Sequence, residues 1–322
     1  MTARRPYRQM IDGELVCPWL DPATYRKNRF FRAADGDLMQ STHPKCGTHV
    51  VQYITQLILK GGDRIETYSD FTSNTRVVEY MQSGDWTPTL PVRTLYTHRP
   101  LFRETMNPAA KYVFVARNPW DCCVSQFQMI TNMSVYRFQD ATFEEFVDAF
   151  LAGEVGYGSY FDHMSLGYDL KDEPNVFFMT YEELLKDKRG MVLKLAHFIG
   201  EKYGKALEDD EEKLENVLKW SKPEHMRKVI VFDFKRNDDL GSEGWDDLFE
   251  RTRVTCKHGY EGDETKYALV QKCKVGGWKE LFTPALLARF EKKIQDEGDN
   301  AAFMELWQDM REEAKAICRN SS

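Results

Sequence analysis

Short apolar runs of strand length alternate along the chain with longer stretches whose apolar residues recur at helical spacing. The runs are Asp37 to Thr42, Arg93 to His98, Lys111 to Arg117 and Asn175 to Tyr181; helical patterns start near Thr48 and Pro119, and another precedes Asn175. Such alternation predicts the α/β class: a central, mainly parallel sheet with helices on both faces and ligands at the carboxyl ends of the strands. Lys111-Tyr-Val-Phe-Val-Ala116 is almost entirely apolar, as a strand covered on both faces must be. It is too short for a buried helix and stops at Asn118-Pro119. Asn118 before Pro119, and Thr283 before Pro284, each read as an N-cap followed by the proline favoured in a first helical turn.

The acidic run Glu208 to Glu212, within a helical stretch over 201–216, reads as a solvated helix face. From about Asp233 to Thr265 apolar residues thin out among Gly, Asp, Glu and Arg, which predicts a long loop or lid. With no internal repeat and no linker between two cores, the 322 residues read as a single domain, 1–322. The net charge of -7, with 44 basic and 51 acidic residues, excludes a general nucleic-acid footprint, so any phosphate site must be local. No apolar stretch reaches the roughly 18 residues of a membrane span, and the arginines at 4, 5 and 8 precede no secretory leader pattern. Seven cysteines without paired spacing fit reduced thiols in the cytoplasm, and they show no zinc-ligand spacing with the seven histidines. No metal is expected.

The segment Ser41-Thr-His-Pro-Lys-Cys-Gly-Thr-His-Val50 carries the chemistry. Standing between a predicted strand and a predicted helix, it forms a P-loop-like turn. Gly47 admits close backbone approach, amides near 46 to 49 can point at an anion, and the helix dipole adds positive charge. Lys45 supplies a point charge. Because the lysine precedes the glycine and no GK[ST] follows, this is not a Walker A loop, and a magnesium-nucleotide kinase is disfavoured. Spacing alone leaves a plain strand-to-helix turn open.

Together with four further segments, Thr42-His-Pro-Lys-Cys-Gly-Thr48 resembles the cytosolic sulfotransferase family, whose donor is 3'-phosphoadenosine 5'-phosphosulfate (PAPS). This segment is similar to the family's YPKSGT loop, and Tyr96-Thr-His-Arg-Pro100 to its KTHLP segment. Tyr112 to Asn118, continuing to Ser125, resembles the 3'-phosphate motif. Gly153-Glu-Val-Gly-Tyr-Gly-Ser159 with His163 looks like GEVxYGSW, and Lys272 to Lys279 like RKGxxGDWK. The resemblance implies in-line sulfuryl transfer without a metal, leaving 3'-phosphoadenosine 5'-phosphate (PAP). Within it Lys45 stabilises the leaving phosphate and His98 is the general base. Lys45, Cys46, Gly47, Thr48, His49 and Val50 hold the 5' side of the donor, Arg117 and Ser125 hold the 3'-phosphate, and Tyr181 and Ser221 lie near the adenosine. Gln271, Lys272 and Cys273 complete the phosphate contacts.

Several positions depart from the family pattern. Cys46 replaces Ser; beside a helix start and Lys45 its thiol is expected to ionise easily. Val50 replaces the tryptophan that stacks on adenine, with Trp220 as a substitute. Tyr96 replaces a lysine, and Gln271-Lys272-Cys273 stands where Arg-Lys-Gly is usual. The family dimer motif KxxxTVxxxE is poorly matched by Lys279, Thr283, Pro284 and Ala288, which leaves a homodimer open. The expected acceptor is a small molecule, a phenol or phenolic amine first and a steroid alcohol second. Tyr80, Trp86, Phe127, Tyr157 and Trp245 are candidate pocket aromatics, and Asp70 or Glu79 would favour an amine. A nucleotide phosphotransferase and a non-catalytic PAP-binding protein are the competing readings.

Overall fold

The computed structural model describes residues 4–81, 86–235 and 253–319. The strands are β1 (Gln9–Ile11), β2 (Glu14–Val16), β3 (Leu38–Ser41), β4 (Thr75–Val77), β5 (Thr94–Thr97), β6 (Lys111–Ala116), β7 (Val176–Thr180), β8 (Val231–Asp233) and β9 (Lys266–Ala268). A five-stranded sheet runs in the order β4-β5-β3-β6-β7, parallel throughout. β1 with β2 and β8 with β9 form small antiparallel pairs.

The α/β expectation holds, and the chain is a single domain around this sheet. Alternation along β6 shows why both faces are covered. Val113 and Val115 enter a core with Ile54 and Leu57 of the helix Thr48–Leu59. Phe114 and Ala116 point the other way, into a core with Trp120, Phe146, Phe150 and Tyr160. At the carboxyl end Asn118 caps the helix Pro119–Asn132 by accepting from the Asp121 amide at 2.8 Å, a contact worth about 1 kcal/mol. Thr283 caps Pro284–Glu297 in the same way.

The acidic run is not one helix face. Glu201–Glu208 ends there, Asp210 accepts from the Lys213 amide as a new N-cap, and Glu211–Trp220 begins. Local capping by Asp overrides helix continuation, because its side chain serves the free amides of a new helix better than it serves a helix interior. The loop expected over 233–265 lies partly outside the described residues; what is described, 253–265, is tied down by the Cys256 amide on the Glu264 carbonyl and the Met133–Cys256 bridge.

Candidate active site

Parallel pairing of β3 with β5 sets Ser41 beside Thr97, and the ladder extends one step, with the Thr42 amide donating to the Thr97 carbonyl at 3.1 Å. The residues that follow, the loop to Gly47 on one strand and His98 on the other, therefore emerge side by side. Two residues in this loop have left-handed backbone, Lys45 at φ 72° and Gly47 at φ 108°. Gly47 caps Thr48–Leu59 and lends it no side-chain hydrogen bond, so the first-turn amides keep their anion-binding capacity. A Cβ at Gly47 would stand 2.6 Å from Tyr181 Cδ2, so the position admits no side chain.

These elements open onto one cleft. Lys45, Gly47, Thr48, His49, Val50, His98, Arg117, Ser125, Tyr181, Gln271, Lys272 and Cys273 all line it. Among the described residues the Lys45 ammonium has no hydrogen bond or ion pair. Burial, with Arg117 as a second cause, brings its pKa down to about 8. Arg117 donates from Nη1 to the Lys45 carbonyl at 2.9 Å and from Nη2 to the Lys274 carbonyl at 3.3 Å, and lies over the Tyr181 ring at 4.9 Å. Its Nε and the Thr48 hydroxyl are buried without a hydrogen-bond partner among the described residues. Two cations and unused donors around a glycine turn fit a phosphorylated, anionic ligand. The 271–278 segment is held over this end by Asp121, which accepts from the Gly276 and Trp278 amides at 2.8 and 3.0 Å.

The His98 ring is oriented by a carbonyl. Nδ1 stands 2.8 Å from the Thr42 oxygen, which can only accept, so Nδ1 carries the proton and Nε2 keeps its lone pair in the neutral ring. Burial lowers the His98 pKa below its ordinary value and so preserves that neutral form. Beneath it the buried Glu79 accepts from the Thr97 hydroxyl at 2.8 Å and the His98 amide at 2.7 Å, which fixes the backbone that carries the imidazole. Tyr157 meets the ring edge-on, centroids 5.0 Å apart, and hydrogen-bonds Tyr80 at 3.0 Å. His49, held neutral by burial with a pKa near 3, stands edge-on to Tyr96 at 6.0 Å.

Beyond His98 the cleft is aromatic and aliphatic, lined by Trp19, Tyr68, Tyr80, Tyr136, Phe232 and Phe234 with Met129 and Met133. Its described carboxylates, Asp121 and Glu280, both sit at the cationic end beside the 271–278 segment, where Glu280 pairs with Lys274 at 2.5 Å. Asp70, one of two carboxylates considered for an amine, is instead bound to Lys60. Trp86 lies over Arg76, and Phe127 packs on Phe143 and Phe146; neither lines the cleft. Trp245 lies outside the described residues.

Two expected ligand residues are not brought to the cleft. The Ser221 hydroxyl turns back onto the Val217 carbonyl at 2.6 Å, completing its own helix end, and Trp220 is taken up by Lys219, Arg64 and His225. Cys46 is fully buried behind the loop, and burial raises its pKa instead of lowering it. For its neighbour Cys122 burial raises the pKa, but hydrogen bonds with Cys46 and His43 and the nearby Arg117 charge outweigh it and lower it. Sequence spacing passed over that contact because Cys46 and Cys122 are 76 positions apart. It also passed over Asp121, whose only signal is its place in the first turn after Asn118-Pro119, and over the contacts of Glu79 with the Thr97 hydroxyl and the His98 amide.

A family model described as the sulfotransferase domain matches residues 35–312. The chain is 28% identical over 310 residues to the 3-alpha-hydroxysteroid sulfotransferase of Cavia porcellus, across 92% of this chain and 95% of that protein. It is 29% identical over 293 residues to the amine sulfotransferase of Oryctolagus cuniculus, across 89% and 88%. Among solved structures, mouse sulfotransferase SULT7A1 complexed with PAP superposes with a TM-score of 0.62 at 20% identity, covering 97% of this chain and 99% of that one. A retinol dehydratase in a complex with retinol and PAP gives 0.62 at 18%, covering 88% and 87%. At these identities the structural likenesses speak for the fold.

Proposed function

The chain belongs to the sulfotransferase domain family and is a PAPS-dependent sulfotransferase, and on that premise we propose that it sulfates the hydroxyl of a flat, neutral acceptor with His98 as general base. The observation that carries the reading is the Thr42 carbonyl on His98 Nδ1, which leaves Nε2 as a proton acceptor in the same cleft as Lys45 and Arg117. PAPS, as substrate, supplies an activated sulfuryl group and leaves as PAP. Lys45 opposes charge developing at the leaving phosphate, in a site where a preorganised cation acts far more strongly than in water. Arg117, with a planar fork of donors, and Ser125 hold the 3'-phosphate. The first-turn amides after Gly47 receive the 5' side, and Tyr181 borders the nucleotide.

At the acceptor end an aromatic wall without a described carboxylate favours an uncharged ring over an ammonium. A phenol is therefore preferred to a phenolic amine. The test measures transfer from PAPS to a neutral phenol, a phenolic amine and a 3-hydroxysteroid, alongside titration with PAP. Phenol turnover that falls about 100- to 10,000-fold in His98→Gln, with PAP binding retained, supports the reading. PAP binding with no transfer to any hydroxyl, or full activity in His98→Gln, refutes it.

A further inference from the structure

Behind the phosphate loop, the side chains of His43, Cys46 and Cys122 meet in the interior, all at 0% exposure. Their donor atoms lie within 4.8 Å of one another, and none of the three lines the cleft. Cys122 Sγ is 3.7 Å from Cys46 Sγ and 3.8 Å from His43 Nδ1. The Pro44 carbonyl oxygen closes the group, 3.4 Å from Cys122 Sγ and 3.2 Å from His43 Nδ1. The surroundings are aromatic: Phe150, Tyr160 and His163 all stand edge-on to the His43 ring. His43 Nε2 is buried without a hydrogen-bond partner among the described residues.

Around a tetrahedral zinc ion, metal–ligand bonds of about 2.3 Å to sulfur and about 2.0 Å to nitrogen or oxygen place two sulfurs about 3.8 Å apart. The same bonds put sulfur about 3.5 Å from nitrogen or oxygen, and nitrogen about 3.4 Å from oxygen. Four of the six edges of such a tetrahedron, all those that meet at Cys122 or join His43 to Pro44, agree with these values to within a few tenths of an ångström. Cys46 lies within 4.8 Å of His43, so it closes on the ion by a small side-chain movement, and two thiolates and an imidazole are ligand types zinc selects. Charge also closes: two thiolates and a divalent ion sum to zero, so a dry interior can hold them.

We propose that His43, Cys46 and Cys122, with the Pro44 carbonyl, bind a structural zinc ion that fastens the phosphate loop to the helix Pro119–Asn132. Binding takes His43 as the tautomer protonated on Nε2 and both sulfurs as thiolates, any thiol proton still held leaving to solvent, and forms two zinc–sulfur bonds with no change of oxidation state. With every ligand supplied by protein and no face on the cleft, the ion takes no part in transfer. It stiffens the loop that contains Lys45, whose left-handed backbone is held by the residues on either side of it.

The test uses the full chain, purified without chelator. Elemental analysis should find about one zinc per chain, and replacement by Co(II) should give the visible bands of a tetrahedral thiolate site. Cys46→Ser and Cys122→Ser should each lose metal at least tenfold, while Cys256→Ser, a buried cysteine outside the group, keeps it. Folded wild-type protein that takes up neither ion overturns the proposal, as does metal retained in both variants or a Cys46–Cys122 disulfide found by thiol counting. Should the variants fail to fold, the Co(II) spectrum of the wild-type chain decides alone. PAP titration of the same samples reads the donor site separately, so failure of the metal site and failure of the sulfotransferase reading are distinguishable.

Discussion

Adding one methyl group at position 47 would test how tightly the phosphate loop is specified. In Gly47→Ala the new Cβ would lie 2.6 Å from Tyr181 Cδ2 and 3.1 Å from Cε2, closer than carbon atoms tolerate. The ring has little room to retreat, being 3% exposed with the Arg117 guanidinium over it. Overpacking of this kind costs about 1 to 3 kcal/mol. Alanine at φ 108° adds backbone strain of about 1 to 3 kcal/mol, independent of any neighbour. Urea unfolding of Gly47→Ala, Tyr181→Ala and the double variant separates the two contributions. Removing the ring should recover the overpacking share, a coupling of about 1 to 3 kcal/mol, and leave the strain in place. PAP affinity should fall at least tenfold in Gly47→Ala, because the loop must move instead of the ring. Equal costs of the methyl group in both backgrounds, or a cost below about 0.5 kcal/mol in the wild type, would refute the close contact.

Arg117→Lys should weaken PAP binding by about 1.5 to 3 kcal/mol, since a point charge cannot reproduce the fork; calorimetry showing unchanged affinity would detach Arg117 from the 3'-phosphate. Gln271→Arg should tighten PAP by about tenfold through a charge-assisted contact at the cleft lining, and no change would mean that the 271–278 segment is not a phosphate ligand. The acid limb of kcat/KM should have its midpoint below about pH 6.5, because burial depresses the His98 pKa and the base stays neutral until the pH falls through that lowered value. A midpoint above 6.5, or the same limb in His98→Gln, would assign the limb to another group.

Much of this architecture was legible wherever local chemistry and tertiary structure agree. β6 and its helix were readable because an all-apolar run meets Asn118-Pro119, and the loop because Gly47 stands where strand becomes helix. β4 escaped: three residues at a sheet edge carry no periodicity. The residues taken from the family resemblance line one cleft where they follow a strand end. Ser221 and Trp220 do not, since a helix-terminal serine satisfies its own carbonyls and an amphipathic tryptophan is drawn to nearby lysine and arginine stems. Cys46 was misread because proximity to a helix start and a lysine argues for an ionised thiol, whereas burial, invisible in one dimension, argues against it more strongly.

The Thr42 carbonyl has a consequence beyond orienting a ring. It belongs to the same short stretch as Lys45 and Gly47, so the base and the anion cradle share a mechanical link. A displacement of the loop large enough to spoil the cradle also lengthens the 2.8 Å contact that holds the proton on Nδ1. The imidazole is then free to exchange tautomers, and a proton on Nε2 blocks its lone pair. On the role proposed for His98, proton abstraction from an acceptor is therefore favoured while the donor loop is seated.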